Sequence, residues 1–149
     1  MSTTGASGPL DDWVLPAVND VTRAWFTSGE LTLQACASCA TVQHPPEEVC
    51  HACGAESFVP RVVAPTGVIH SYTVAHHPVH PSLANNVPYA VVLVALDELP
   101  EVRVLGNLLD VDPADVRIGT AVHATFPERV ADDGEVLRLP QWRALDARK

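Results

Sequence analysis

Four cysteines are the residues in this sequence whose type and spacing could do chemistry. They fall as Cys36-x2-Cys39 and Cys50-x2-Cys53, with ten residues between the pairs, and the chain has no other cysteine. Each Cys-x-x-Cys pair places two thiolates on one tight turn, and two such turns can supply the corners of a tetrahedral zinc site. We therefore expect one Zn(2+) ion. Four thiolates leave no position for an activated water, so the expected role is structural.

Two other interpretations of the cysteines are a pair of disulfides and a redox-active Cys-x-x-Cys. Disulfides require an oxidising compartment, but the N-terminus MSTTGASGPLDD has no basic segment followed by an apolar one. We accordingly expect a cytoplasmic protein. A thioredoxin-like motif would stand once, in a βαβ pattern, and would not need a second pair. The spacing favours zinc over both alternatives.

The charge balance argues against nucleic acid as a partner. The chain has 9 Lys and Arg against 18 Asp and Glu, which gives a net charge of −9 with neutral histidines. Its basic residues are scattered, whereas a nucleic-acid surface gathers them on one face. No apolar stretch is long enough to span a bilayer. We expect neither nucleic acid nor a membrane as a partner.

A short helix is expected before the cysteines. The segment from Pro16 to Ser28 places Val18, Val21, Trp25 and Phe26 on one side of a helix, at spacings of three and four. This apolar side could pack on the protein's own body or dock on a partner, and the sequence leaves both alternatives open.

Five strands are expected after the cysteines, following a short extended linker from Phe58 to Pro65. A helical turn, with Asp112 as its cap and Pro113 as its first residue, should separate the third strand from the fourth. That order is typical of an OB-fold barrel. The five predicted strands cover residues 67–74, 89–96, 102–108, 121–126 and 136–139.

The longest irregular stretch joins the first two predicted strands, and loops at this position of an OB-fold commonly contact ligands. It reads AHHPVHPSLANNVP, over residues 75–88. Its histidines could form a second metal site, donate protons, contact a partner or be ordinary surface residues. Prolines after two of them argue against convergence on a metal. The residues that we single out as ligand or partner contacts are His76, His77, His80, Asn85 and Asn86.

The chain resembles the DUF35 family. The resemblance depends on the helix, the four cysteines with Pro-Pro between the pairs, and the stretches GVIHSYTV, PYAVVLVALDE and GNLLDVDPADVRIGTAV. It covers roughly residues 16–142 and implies a mainly β fold, in which an N-terminal helix and a rubredoxin-like zinc ribbon precede a five-stranded OB-fold barrel. The expected divisions are flexible tails at 1–15 and 144–149, the helix and four-cysteine zinc ribbon at 16–58, and the OB-fold domain at 59–143.

Two positions depart from the family pattern. The family often has glycine after the second cysteine and proline after the third, whereas this chain has Ala40 and His51. Because glycine tolerates a left-handed turn better than alanine does, we expect slight strain in the first cysteine turn. Neither departure removes a metal ligand.

The resemblance implies an accessory subunit of a thiolase-like enzyme that acts on acyl-CoA thioesters. Members of the family are similar to partners of thiolases and of the lipid-transfer-protein-like aldolase of steroid side-chain degradation. On this interpretation the chain has no catalytic residue of its own, a CoA thioester is a candidate ligand, and the partner's reaction makes or breaks a carbon–carbon bond beside the thioester. The aromatic interface candidates are Trp13, Trp25 and Phe26.

Two alternatives remain from other functional classes. A zinc ribbon joined to an OB barrel can bind single-stranded nucleic acid, which requires exposed aromatic residues on the strands and a positive groove. The chain could also be a free-standing acyl-CoA-binding protein or enzyme. No Gly-x-Ser-x-Gly motif, phosphate-binding glycine loop or dinucleotide fingerprint supports catalysis by this chain alone.

Overall fold

The computed structural model describes residues 15–145, and its first regular element is a short helix. This helix, α1, spans Arg23–Thr27 and follows a turn at residues 20–22. The prediction of a helix over residues 16–28 was therefore too long. The residues before it form a separate turn, in which Asn19 Oδ1 accepts hydrogen bonds from the backbone N–H groups of Val21 and Thr22. Asn19 therefore stabilises the turn at residues 20–22, and the helix begins only after it.

A three-stranded antiparallel sheet follows the helix and carries the cysteines. Its order is β2-β1-β3, with β1 at Thr32–Cys36, β2 at Val42–Gln43 and β3 at Phe58–Val62. The segment expected to be an extended linker is indeed extended, but its first five residues pair with β1 along its whole length. Phe58 lies opposite Cys36, so β3 fixes the end of β1 where the first cysteine stands.

Five strands close into a barrel: β4 at Thr66–Ala75, β5 at Tyr89–Leu96, β6 at Arg103–Leu109, β7 at Ala121–Thr125 and β10 at Gln141–Ala144. Their order around the barrel is β10-β6-β5-β4-β7. The last strand closes it by pairing parallel to β6 and antiparallel to β7. A 3-10 turn at Pro113–Asp115 separates β6 from β7, and Asp112 Oδ1 caps it by accepting from the Ala114 N–H. The five-stranded OB-fold is confirmed.

The prediction of the fifth barrel strand was wrong in position. Residues 136–139 were expected to fill it, but Val136–Arg138 forms β9, which pairs with β8 at Glu128–Val130 in a separate hairpin. The closing strand comes immediately afterwards, where Trp142 is completely buried. Ala144, expected to lie in the C-terminal tail, pairs with Val122 in this strand.

One hydrophobic core joins the ribbon to the barrel. Trp25, Leu31 and Leu33 precede or belong to the ribbon sheet, and they pack in the same cluster of buried residues as the inward-facing side chains of the barrel. In β5 every second residue contributes to this core, because Ala90, Val92, Val94 and Leu96 are all buried. Apolar residues at every second position place a continuous surface inside the barrel.

Within residues 15–145, no helix is long and apolar enough to cross a membrane. Residues 1–14 of the predicted tail at 1–15, which include Trp13, and residues 146–149 of that at 144–149 lie outside the described residues.

Candidate metal centre

The first cysteine turn is built at the end of β1. Cys36 closes that strand, and its Sγ accepts the backbone N–H groups of Ser38 and Cys39, both at 3.4 Å. The Ala40 N–H returns to the Cys36 carbonyl at 2.9 Å, and Ala40 takes a left-handed φ of 67°. The left-handed conformation is the one for which alanine was expected to cost more than glycine.

The second cysteine turn repeats the first. The Cys50 Sγ accepts the Ala52 N–H at 3.4 Å, and the Gly54 N–H donates to the Cys50 carbonyl at 2.9 Å. Gly54 has a φ of 81°, in the same left-handed region as Ala40. In both turns the first cysteine is buried and the second, Cys39 or Cys53, is exposed.

The four sulfur atoms fit a tetrahedral zinc ion. Their Sγ atoms all lie within 4.8 Å of one another, with Cys36 to Cys53 at 3.6 Å and Cys39 to Cys50 at 3.7 Å, and all four are free thiols. A Zn–S distance of about 2.3 Å in tetrahedral geometry places sulfur atoms about 3.8 Å apart. The two turns therefore hold the thiols at the spacing that the ion requires.

When no cation is bound, Cys36, Cys39 and Cys53 differ in the pKa values of their thiols. The backbone N–H of Cys39 holds the pKa of Cys36 below its ordinary value, and the Thr41 hydroxyl, 3.1 Å from the Cys39 Sγ, lowers the pKa of that thiol to about 6. At Cys53, the Ala55 N–H acts in the same direction, but the neighbouring sulfurs outweigh it and raise the pKa to about 12. Thiolates this close repel one another, and a dication between them removes the repulsion.

Two glutamines fix the loop between the cysteine turns. Gln34 Nε2 donates to the Glu47 carbonyl at 2.7 Å, and its Oε1 accepts the Glu47 N–H at 3.0 Å. Gln43 Nε2 donates to the same Oε1, and Gln43 Oε1 accepts the His51 N–H at 3.0 Å. Sequence reasoning missed both residues, because a glutamine on a short strand carries no signal of the backbone that it will bind.

The predicted aromatic contacts lie in different environments. Trp25 is only 8% exposed and packs against the His44 ring with 4.3 Å between centroids, so its indole belongs mainly to the chain's own core. Phe26 is half-buried beside it and lines a shallow cleft against the barrel, together with Leu105. Contact of Phe26 with a partner stays a prediction.

The loop between β4 and β5 places its histidines in solvent. His76, His77, His80 and Asn85 are exposed and Asn86 is half-buried, while Leu83 in the same loop is buried. Among the described residues, the four cysteines are the group that could hold a metal ion, and the histidines do not join a second one. A role of this loop in binding a ligand or partner stays a prediction.

Comparisons with known proteins match two regions of the chain. A family model described as the ChsH2 rubredoxin-like zinc ribbon domain matches residues 27–59, and one described as the ChsH2 C-terminal OB-fold domain matches residues 60–127. A solved structure described as the Ltp2-ChsH2(DUF35) aldolase contains a chain that is 37% identical, with a TM-score of 0.69. The match covers 87% of this chain and 98% of that one.

Two curated proteins are also similar. A probable enoyl-CoA hydratase alpha subunit of Thermomonospora curvata is 39% identical over 131 residues, which are 86% of this chain but 39% of that protein. This chain therefore spans well under half the length of that relative. A DUF35 domain-containing scaffold protein of Methanocaldococcus jannaschii is 31% identical over 102 residues, 67% of this chain and 69% of the relative. With its zinc ribbon, its OB-fold barrel and these matches, the chain belongs to the DUF35 family.

Proposed function

We propose that this chain is a noncatalytic subunit that binds and supports a thiolase-like enzyme acting on acyl-CoA thioesters. The similarity to the DUF35 chain of an aldolase carries the proposal, because it extends over 98% of that chain at 37% identity. The name of the Methanocaldococcus jannaschii relative, a scaffold protein, supports the same role.

The cysteines support this role by stabilising the fold. Cys36, Cys39, Cys50 and Cys53 would hold one structural zinc, and four thiolates would leave that ion no open position for a substrate. Catalysis would accordingly belong to the partner. Phe26 and the loop with His76, His77 and His80 would contribute contacts to the partner or to its thioester.

The favoured reaction of the complex is retro-aldol cleavage in steroid side-chain degradation. In such a step the bond between the α and β carbons of a β-hydroxyacyl-CoA breaks. The β-hydroxyl becomes a carbonyl as its proton leaves, and the α carbon takes up a proton to give a shorter acyl-CoA. Both protons would be handled by the partner's residues.

The first experiment is co-purification. The chain is expressed with a candidate thiolase-like protein, and the products are examined by size exclusion with mass analysis. We expect one complex that cleaves a β-hydroxyacyl-CoA faster than the partner does alone. If the chain elutes alone and leaves the partner's activity unchanged, the proposal fails. Turnover by the purified chain without any partner would also contradict it.

A second candidate is a subunit of an enoyl-CoA hydratase complex. The Thermomonospora curvata relative supports it, because that protein is named as a probable hydratase subunit and contains a region matching 86% of this chain. Hydration adds water across a double bond and breaks no carbon–carbon bond. The complex should therefore be assayed with both an enoyl-CoA and a β-hydroxyacyl-CoA, and the product identifies the reaction.

A further inference from the structure

A groove separates the start of the helical segment from the ribbon sheet. It has a volume of about 480 Å³ and runs between α1, β3 and the loop at residues 46–48. The buried Trp25 and Leu33 contribute to its lining, as do Phe58, Pro60 and Val59, whose side chain is 50% exposed. We call this feature the acidic groove, because its apolar interior has a rim of carboxylates.

The rim has one sign of charge. Four exposed acidic residues line the groove, and among its described lining residues none is lysine, arginine or histidine. None of the four forms an ion pair with a described residue, although other acids of the chain do. The four are Asp20, Glu47, Glu48 and Glu56.

Hydrogen bonds hold part of the rim in place. Gln34 binds both the N–H and the carbonyl of Glu47, which holds the acidic loop against β1. On the opposite side, Glu56 shortly precedes β3. A prearranged charged rim around an apolar interior favours one kind of occupant, because a partner need not order the site when it binds.

We infer that the acidic groove binds a segment of a partner protein in which basic side chains flank an apolar one. The apolar side chain would cover Val59 and Phe58, and its lysines or arginines would meet the carboxylates of the rim. The inference rests on the proposed function, since it gives the chemistry of the surface that the enzyme partner would present. It does not require that the partner be an aldolase.

Other occupants match the charge less well. A second copy of this chain carries twice as many acidic as basic residues, so its surface would be repelled. The segment at residues 1–14 contains Asp11 and Asp12 and no lysine or arginine. The four C-terminal residues include Arg148 and Lys149, so their deletion belongs in the test.

The zinc-loaded chain is titrated with a synthetic amphipathic leucine–lysine peptide and followed by backbone amide NMR shifts. We expect the amides of Val21, Ala24 and Val59 to shift, and a leucine–glutamate peptide to leave them unchanged. The triple variant Glu47→Lys, Glu48→Lys, Glu56→Lys should weaken binding about tenfold or more, since each change reverses a charge at the rim. Val59→Gln keeps the charge unchanged, so it tests the apolar interior separately and should also weaken binding.

The matched control is the triple variant Asp97→Lys, Glu101→Lys, Asp132→Lys. It makes the same change in net charge at exposed acids that do not line the groove, and it should keep the affinity of the original chain. Any of three results overturns the inference: no shift at the groove, equal weakening in the control, or tighter binding after deletion of residues 146–149. Self-association of the free chain that Val59→Gln abolishes would also overturn it, in favour of a second copy as occupant.

Complex formation with the enzyme partner distinguishes failure of this inference from failure of the proposed function. If the original chain and the rim variant form equally stable complexes with the thiolase-like protein, the groove is not the docking surface, although the proposed function stands. If the original chain forms no complex, the proposed function fails, and the peptide titration still decides what the groove binds.

Discussion

At the scale of single residues, the two cysteine turns differ in one backbone detail. Ala40 and Gly54 occupy the same place, one residue after the second cysteine of each pair, and both have a left-handed φ, 67° and 81°. An L-residue with a Cβ has a conformational cost there that glycine avoids. The two turns can therefore be compared within one protein, because alanine can be replaced by glycine at position 40 and glycine by alanine at position 54.

Ala40→Gly should stabilise the zinc-loaded protein, and Gly54→Ala should destabilise it, each by about 1 kcal/mol. A Cβ at Gly54 would meet no atom within 4 Å, so the cost there is conformational and not steric. Urea unfolding monitored by circular dichroism measures both changes. Ala52→Gly is the matched control, since Ala52 has no positive φ and glycine should only lower stability there. Equal effects of Ala40→Gly and Ala52→Gly would contradict the strain argument.

His44 is a second residue whose environment has a measurable consequence. Its Nδ1 is buried without a hydrogen-bond partner among the described residues, and its ring packs on Trp25. Burial lowers the pKa of His44 to about 4, against an ordinary value of 6.5. Above pH 6.5 both states hold a neutral imidazole, so this group adds no pH dependence. Between pH 6.5 and 4 the unfolded state binds the proton and the folded state does not, so stability falls as the pH falls.

The predicted loss of stability at acid pH is on the order of 2 to 3 kcal/mol from this group. His44→Phe should reduce the difference in unfolding free energy between about pH 7.5 and about pH 4.5, because phenylalanine keeps a ring against Trp25 but binds no proton. The exposed His77→Gln is the control and should leave the difference as it is. Zinc release at low pH affects all three proteins alike, so only their differences are interpreted. If His44→Phe loses as much stability as the original chain, burial of His44 is not a source of acid sensitivity.

At the scale of elements, closure of the barrel depends on contact between β6 and β10. Gly106 lies under the indole of Trp142, and a Cβ at this glycine would lie 2.8 Å from Trp142 Cδ1. Because Trp142 is completely buried in the closing strand, the indole has little room to move away. The glycine is therefore required for packing and not for a turn.

Gly106→Ala should destabilise the chain by about 1–3 kcal/mol, the usual cost of overpacking a filled core. Leu105→Ala, on the same strand but at a side chain 62% exposed, should stay within about 0.5 kcal/mol. Combining Gly106→Ala with Trp142→Phe tests the cause, since the smaller ring should remove most of the penalty of the alanine. A double variant whose losses simply add would show that the two residues do not compete for space.

Sequence patterns predicted the positions of the strands better than the pairing between them. Periodicity located the first four barrel strands and the turn at Asp112, because apolar alternation and a cap are local signals. It assigned barrel closure to residues 136–139 instead of Gln141–Ala144. Residues 136–138 do form a strand, but the alternation of apolar residues does not show which other strand it will pair with. The helix was predicted too long, because residues 20–22 form a turn bound by the Asn19 side chain and are not part of the helix.

At the candidate sites, too, the sequence predicted the features that depend on local spacing and missed those that depend on packing between distant segments. Spacing alone indicated the four thiols, because each pair is local and the chemistry of zinc restricts the ligands. The acidic groove had no such signal. Its carboxylates come from separated segments, at Asp20, at Glu47 and Glu48 and at Glu56, and only the packing of α1 beside β3 brings them together.

At the scale of the whole molecule, zinc binding and the barrel should be energetically coupled. Leu31 and Leu33, beside and within β1, share a buried cluster with Ile69 of β4 and Val92 of β5. Their position depends on β1, whose last residue is the metal ligand candidate Cys36. In zinc-finger peptides the apparent metal-binding energy is on the order of 10 kcal/mol, and it counts as folding energy.

Removing zinc with a chelator should therefore lower the stability of the barrel as well as that of the ribbon. Hydrogen exchange resolved by mass spectrometry is the measurement, with the zinc-loaded chain as reference. We expect faster exchange in β1 and β3 and also in β4 and β5, the barrel strands whose side chains share the cluster, and the chelated chain should unfold in one transition at a lower temperature. Cys36→Ser should reproduce the pattern without a chelator. Should exchange rise only between residues 31 and 62 while β4 and β5 keep their protection, the ribbon and the barrel would be separate folding units, and the shared apolar contacts would be too weak to join them.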